Sequence, residues 1–131
     1  MHPGKTLAGR ILVVDDEPLI RWSLSESLRQ EGYDVLEAED RRSALEAFSG
    51  APGLDLVILD LRLPDSSDLG LLRSLRQMAP GLAVILMTAH GTPEVFEEAG
   101  REGASFIVGK PFDLDRMVEL ARSSIDGRQG G

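Results

Sequence analysis

Apolar residues along the 131-residue chain gather in five short runs at fairly even spacing. They are Ile11-Leu12-Val13-Val14, Val35-Leu36 with their neighbours, Leu54-Asp55-Leu56-Val57-Ile58-Leu59, Ala83-Val84-Ile85-Leu86-Met87 and Phe106-Ile107-Val108. The first, third and fourth are nearly continuous and carry β-branched residues, as strands buried on both faces of a parallel sheet do. Between the runs the period changes to that of helices. Ile20, Leu24 and Leu28 fall four apart, with Arg21, Glu26 and Arg29 on other faces, and Gly32 is placed to stop that helix. Ala44, Leu45 and Phe48 mark a second helix. Leu69, Leu72, Leu75 and Met78 mark a third, ended by Pro80-Gly81. Thr92-Pro93-Glu94 opens a fourth, with Thr92 as N-cap and Pro93 at the first helical position. Gly100 weakens the end of that helix by about 1 kcal/mol relative to alanine. The fifth spans roughly residues 114–125, with Leu114, Met117, Val118 and Ala121 facing inward.

The alternation predicts an α/β fold, (βα)₅, with a five-stranded parallel, doubly wound sheet and right-handed crossovers. One domain fits the length, with residues 1–9 as a leader, 10–125 as the domain and 126–131 as a tail or the start of a linker.

Composition narrows the function. The net charge is −8, which argues against direct nucleic-acid binding by this chain and agrees with carboxylates gathered around a cation. There is no cysteine, so disulfides and thiolate metal sites are excluded. No stretch approaches the roughly 20 apolar residues of a membrane span, and no signal peptide is evident. The expected location is the cytoplasm.

In an open doubly wound sheet, ligands bind beyond the carboxyl ends of the strands. Strand one ends in Asp15-Asp16, strand three in Asp60, strand four in Thr88-Ala89, and strand five runs into Lys110-Pro111. Three carboxylates at one edge repel unless a cation neutralises them. Mg²⁺ is a hard ion that takes oxygen ligands and keeps several waters. It can also clamp the oxygens of a transferring phosphoryl group. Asp60 has the chemistry of a nucleophile that forms an acyl phosphate; Lys110 and Thr88 have that of phosphoryl-oxygen partners. Taken singly, each has a plainer reading: turn or N-cap acids, a strand-end threonine, a surface turn. Lysine is rare here, with two residues against twelve arginines, which singles out Lys110. The joint pattern favours the site.

These residues resemble the receiver domains of two-component response regulators. The matching motifs are Ile11-Leu12-Val13-Val14-Asp15-Asp16-Glu17, Leu56-Val57-Ile58-Leu59-Asp60-Leu61-Arg62-Leu63-Pro64, Met87-Thr88-Ala89, Gly103-Ala104 and Lys110-Pro111-Phe112. The resemblance implies a flavodoxin-like fold, with Asp60 as phosphoacceptor and Thr88 and Lys110 at the phosphoryl group. It gives Mg²⁺ to Asp15, Asp16, Asp60 and the backbone carbonyl of Arg62. It implies a histidine kinase as partner, a homodimer through the helix 4–strand 5–helix 5 face, and no enzyme beyond slow self-dephosphorylation. His90 and Arg62 read as solvated loop residues that, by the resemblance, could set that rate. The Lys110-Pro111 peptide is often cis in such domains.

Ile20-Arg21-Trp22, Met87-Thr88-Ala89-His90-Gly91-Thr92 and Lys110-Pro111-Phe112-Asp113-Leu114-Asp115 resemble the NtrC-type receivers of σ54-dependent transcription regulators. Trp22 itself reads as a partly buried residue of helix one. Two positions depart from the family. Ile107 stands where an aromatic residue usually precedes the lysine by three, with Phe106 expected on the opposite strand face. Asp68 stands where the loop after Asp60 usually has glycine. A stand-alone receiver or phosphate shuttle, and a docking module that has lost phosphorylation, are the alternatives. A haloacid-dehalogenase-type phosphatase would need a second Asp where Arg62 sits. A flavodoxin would need a Ser/Thr/Gly-rich loop where Asp15-Asp16-Glu17-Pro18 sits.

Overall fold

A computed structural model describes residues 9–51, 53–65 and 69–130; the leader to residue 8 and Asp68 lie outside the described residues. Five strands, β1 (Arg10–Val14), β2 (Asp34–Ala38), β3 (Leu56–Asp60), β4 (Ala83–Thr88) and β5 (Phe106–Gly109), alternate with five helices. These are α1 (Pro18–Gln30), α2 (Arg41–Gly50), α3 (Gly70–Met78), α4 (Pro93–Arg101) and α5 (Leu114–Gly130). All neighbouring strands are parallel, in the order β2-β1-β3-β4-β5. Successive side chains of a strand point to opposite faces, so the three continuous apolar strands feed two cores. Leu12, Val14, Val57, Leu59, Val84 and Leu86 meet Ala44 of α2, Leu71, Leu72 and Leu75 of α3 and Ala99 of α4. Ile11, Val13, Leu56, Ile58, Ile85 and Met87 meet Leu24 and Leu28 of α1 and Met117, Ala121 and Ile125 of α5.

Local signals set the helix ends. Gly32, at φ +97°, takes the left-handed turn after α1. Asp40 and Ser43 form a reciprocal capping box at α2. Thr92 accepts a hydrogen bond from the Val95 amide at 3.2 Å, with Pro93 in the first turn of α4. No helix among the described residues is long and apolar enough to cross a membrane.

Three expectations need correction. Met78 is 50 % exposed although Leu69, Leu72 and Leu75 are buried. At about 100° per residue, a spacing of three drifts by 60° a step, so the fourth member lies half a turn from the first; Leu71 completes the buried face instead. Trp22 is 59 % exposed, because it lies two residues from Ile20 and from Leu24, on the far side of the stripe that faces the sheet. Helix α5 continues to Gly130, beyond the end near Ile125 that the apolar pattern suggested. Met117, Ala121 and Ile125 anchor it, and extending an existing helix costs far less than starting one.

Leu75→Ala is expected to destabilise the fold by about 2–5 kcal/mol, whereas Met78→Ala should stay within about 0.5 kcal/mol. Urea unfolding midpoints of the two variants check this.

Candidate functional site

The chain reverses its winding between β1 and β3, which lie side by side with Val14 opposite Leu59. The next residue on each strand is Asp15 and Asp60, so register alone places two carboxylates at the same level of the sheet's carboxyl edge. On the other side of β3, Asp60 lies opposite Met87, and Thr88 lies opposite Gly109, the residue before Lys110. The peptide Lys110-Pro111 is cis.

The side chains converge. Lys110 Nζ lies 2.8 Å from Asp60 Oδ2 and 2.9 Å from both Asp15 Oδ2 and Glu17 Oε1. Asp60 Oδ1 accepts a hydrogen bond from the Arg62 amide at 3.0 Å, and Asp15 Oδ1 accepts one from the Glu17 amide at 2.8 Å. Asp15 is fully buried, and its Oδ2 makes no hydrogen bond of proper direction; the Lys110 contact there is one of charge and distance. Burial works to lower the Lys110 pKa, but the hydrogen bonds to Asp60 and Glu17 and the close Asp15 carboxylate outweigh it, and the ammonium titrates above its ordinary range. Burial pushes Asp15 up, seconded by the Asp60 charge, against the Glu17 amide and Lys110.

One oxygen from each of Asp15, Asp16, Glu17 and Asp60 lies within 4.8 Å of the others, with Asp16 and Glu17 open to water. One ammonium cannot neutralise four carboxylates. The donors are all hard oxygens, and the buried Asp15 Oδ2 lacks a directed partner. That chemistry fits a hydrated divalent ion such as Mg²⁺. Beside this cluster, Asp60, Leu61, Arg62, Thr88, Ala89 and His90 line a pocket. Thr88 is buried, and its Oγ1 accepts from the His90 amide at 3.2 Å.

Asp15, Asp60, Thr88 and Lys110 thus stand together as their strand ends foretold, with Asp16 on the rim and the Arg62 backbone held against Asp60. The His90 and Arg62 side chains are exposed, as loop residues. Sequence reasoning missed three contributors. Glu17 reaches Lys110 across 93 positions; its place in the Asp15-Asp16-Glu17 run was the available signal. Arg21 donates to the Asp15 carbonyl at 2.7 Å, bracing the loop from α1. Asp65 accepts from the Arg41 and Arg42 amides at 2.7 and 3.1 Å, tying the loop after Asp60 to the first turn of α2.

Residues 11–122 match the family model of the response regulator receiver domain. The chain belongs to the response regulator receiver family. The receiver is 36 % identical over 121 residues to the DNA-binding transcriptional regulator NtrC of Escherichia coli K12, a match that covers 92 % of this chain and 26 % of NtrC. It therefore spans about a quarter of the length of that relative. It superposes with a TM-score of 0.89 on a receiver domain protein from Methanospirillum hungatei, at 27 % identity, covering 95 % of this chain and 98 % of that one. The beryllofluoride-activated NtrC4 receiver domain dimer gives a TM-score of 0.85 at 29 % identity, covering 91 % of this chain and 98 % of that one. The family assignment and the five-stranded fold expected from the sequence are both borne out.

Asp15→Asn is expected to weaken Mg²⁺ binding by at least about tenfold, or ~1.4 kcal/mol, while Asp115→Asn leaves it unchanged; calorimetric titration checks this. Protons compete with metal at carboxylates. Because the Asp15 pKa is raised, Mg²⁺ affinity should begin to fall, as pH is lowered, above the pH where ordinary aspartates titrate.

Proposed function

We propose that this receiver accepts a phosphoryl group on Asp60 from a histidine kinase in a Mg²⁺-dependent reaction, and serves as the regulatory domain of an NtrC-type, σ54-dependent transcription regulator. The observation that carries the reading is Asp60 itself. Its side chain is 7 % exposed, 2.8 Å from the Lys110 ammonium, and lines the pocket that Thr88 and His90 share.

In the transfer, an Asp60 carboxylate oxygen bonds to phosphorus as the bond from phosphorus to the kinase's imidazole nitrogen breaks, and that nitrogen keeps the electron pair. Charge accumulates on the phosphoryl oxygens, so the stabilising groups are cations and donors already in place. Lys110 passes from carboxylate to phosphoryl oxygen. The Thr88 hydroxyl donates to a second phosphoryl oxygen. Asp15, Asp16, Asp60 and the backbone carbonyl of Arg62 would hold Mg²⁺, which when bound supplies the remaining positive charge. The product is an acyl phosphate lost by slow hydrolysis, so the domain is a phosphoacceptor and not a turnover enzyme.

The domain of residues 10–125 would then exert its effect through further regions such as those that make NtrC longer, in the cytoplasm. Its proposed partners are the kinase and a second copy meeting it through α4, β5 and α5. Half-exposed Phe96 and Phe106 on that face and the dimeric state of the NtrC4 receiver support the pairing.

After incubation with Mg²⁺ and acetyl phosphate, the intact mass of the wild type should rise by one phosphoryl group, and that of Asp60→Asn should not. An adduct of equal yield on Asp60→Asn would contradict the assignment.

A further inference from the structure

Helix α4 is weakly held. Of its nine residues only Ala99 is buried. Its C-terminal half is tied to α3 by Arg73, whose guanidinium pairs with Glu98 at 3.2 Å and Glu102 at 2.7 Å. Its N-terminal half has a different anchor. The Phe96 ring lies directly over Gly91, in the loop between Thr88 and α4. A Cβ on Gly91 would sit 2.7 Å from Phe96 Cε1, closer than real Cβ atoms approach, and 3.1 Å from the Thr88 Cγ2 methyl, a tight contact. Gly91 does not have the positive φ that glycine alone favours. The ring and the Thr88 methyl fill the space that a Cβ would take, so a side chain at Gly91 would push the ring aside. Ile107, on the neighbouring strand β5, is aliphatic and packs into the core on the α2–α4 side of the sheet.

We propose that Phe96 is the positioning residue that couples Thr88 to α4: its ring rests on Gly91 beside the Thr88 methyl, so a movement of Thr88 towards a phosphoryl group on Asp60 displaces the N-terminal half of the helix. The inference rests on the phosphoacceptor reading above. Thr88 Oγ1 now accepts from the His90 amide. Turning that hydroxyl towards a phosphoryl oxygen swings the methyl and pulls residues 89–91, removing the surface on which the ring sits. Few buried contacts oppose the shift, because a segment with little buried surface moves at low cost. Arg73 holds the far end, so the helix pivots about its C-terminal half and does not detach. An aromatic ring is needed: a smaller side chain would not reach across to the Gly91 backbone, and the loop could then move without the helix. Coupling of this kind is reciprocal, so the ring also biases Thr88 towards its resting position.

The test compares amide NMR shifts of ¹⁵N-labelled wild type, Phe96→Ala and Phe96→Tyr before and after Mg²⁺ and beryllofluoride, a phosphoryl mimic. Wild type should shift at Asp60, Thr88 and Gly91 and onward through α4 to Ala99. Phe96→Ala should keep the shifts at Asp60 and Thr88 and lose those from Glu97 to Arg101, and Phe96→Tyr should restore them. A merely structural role for the half-exposed ring predicts no such selective loss. Shifts through α4 of wild-type size in Phe96→Ala would overturn the coupling and leave the phosphoacceptor reading intact. No response at Asp60 or Thr88 in the wild type would overturn both.

Discussion

Like charges crowded at the carboxyl edge of the sheet are the constraint on which the rest of this receiver turns. Asp15 is fully buried, Asp60 nearly so, and Glu17 stands beside them. Two unit charges about 4 Å apart at an effective dielectric near 20 interact by about 4 kcal/mol. Such a cluster is tolerable only with a cation in reach. Lys110 supplies one, touching three carboxylates at 2.8–2.9 Å. The negative charge that Lys110 leaves unmet, carried on oxygen donors, suits the site to a hard divalent ion. A phosphoryl group could not approach four uncompensated carboxylates, so metal and phosphoryl chemistry are linked by electrostatics before any catalytic role is assigned.

The fold keeps this arrangement in register. Asp15 and Asp60 are level because β1 and β3 are adjacent and parallel, with their preceding residues paired. Each strand is sealed on both faces, so a slip would drag apolar side chains from one core to the other. Loops then refine what the strands set. Arg21 braces the Asp15 carbonyl, and Asp65 pins the loop after Asp60 to α2. The pinned side contrasts with the loop after Thr88, where the exposed ring of Phe96 is the contact to a helix that buries a single residue. Rigidity at the carboxylates and looseness at α4 are complementary: one holds the chemistry, and the other responds to it.

Much of this was legible in the sequence because it depends on short-range pattern. Continuous apolar runs gave the buried strands, and the polar residue ending each run gave Asp15, Asp60, Thr88 and Lys110. What escaped depends on distance or rotation. Lys110 and Glu17 are far apart in the chain, and no local rule pairs them. Asp65 reads as a turn residue, yet it caps a helix more than twenty positions earlier. Met78 and Trp22 are apolar, but the helical phase turns both to solvent. Phe96 has the spacing of an ordinary surface residue on a polar helix, and only the fold brings it over Gly91.

The most direct test of the central claim is to map Mg²⁺ binding residue by residue from amide shifts during a titration of the unphosphorylated protein. Saturable shifts confined to residues 15–17, 60–62 and 110 are the predicted result. Shifts of equal size and affinity at other acidic stretches, such as Glu97, Glu98 and Glu102, would contradict it. They would mean that the carboxylates around Lys110 are balanced without a metal ion.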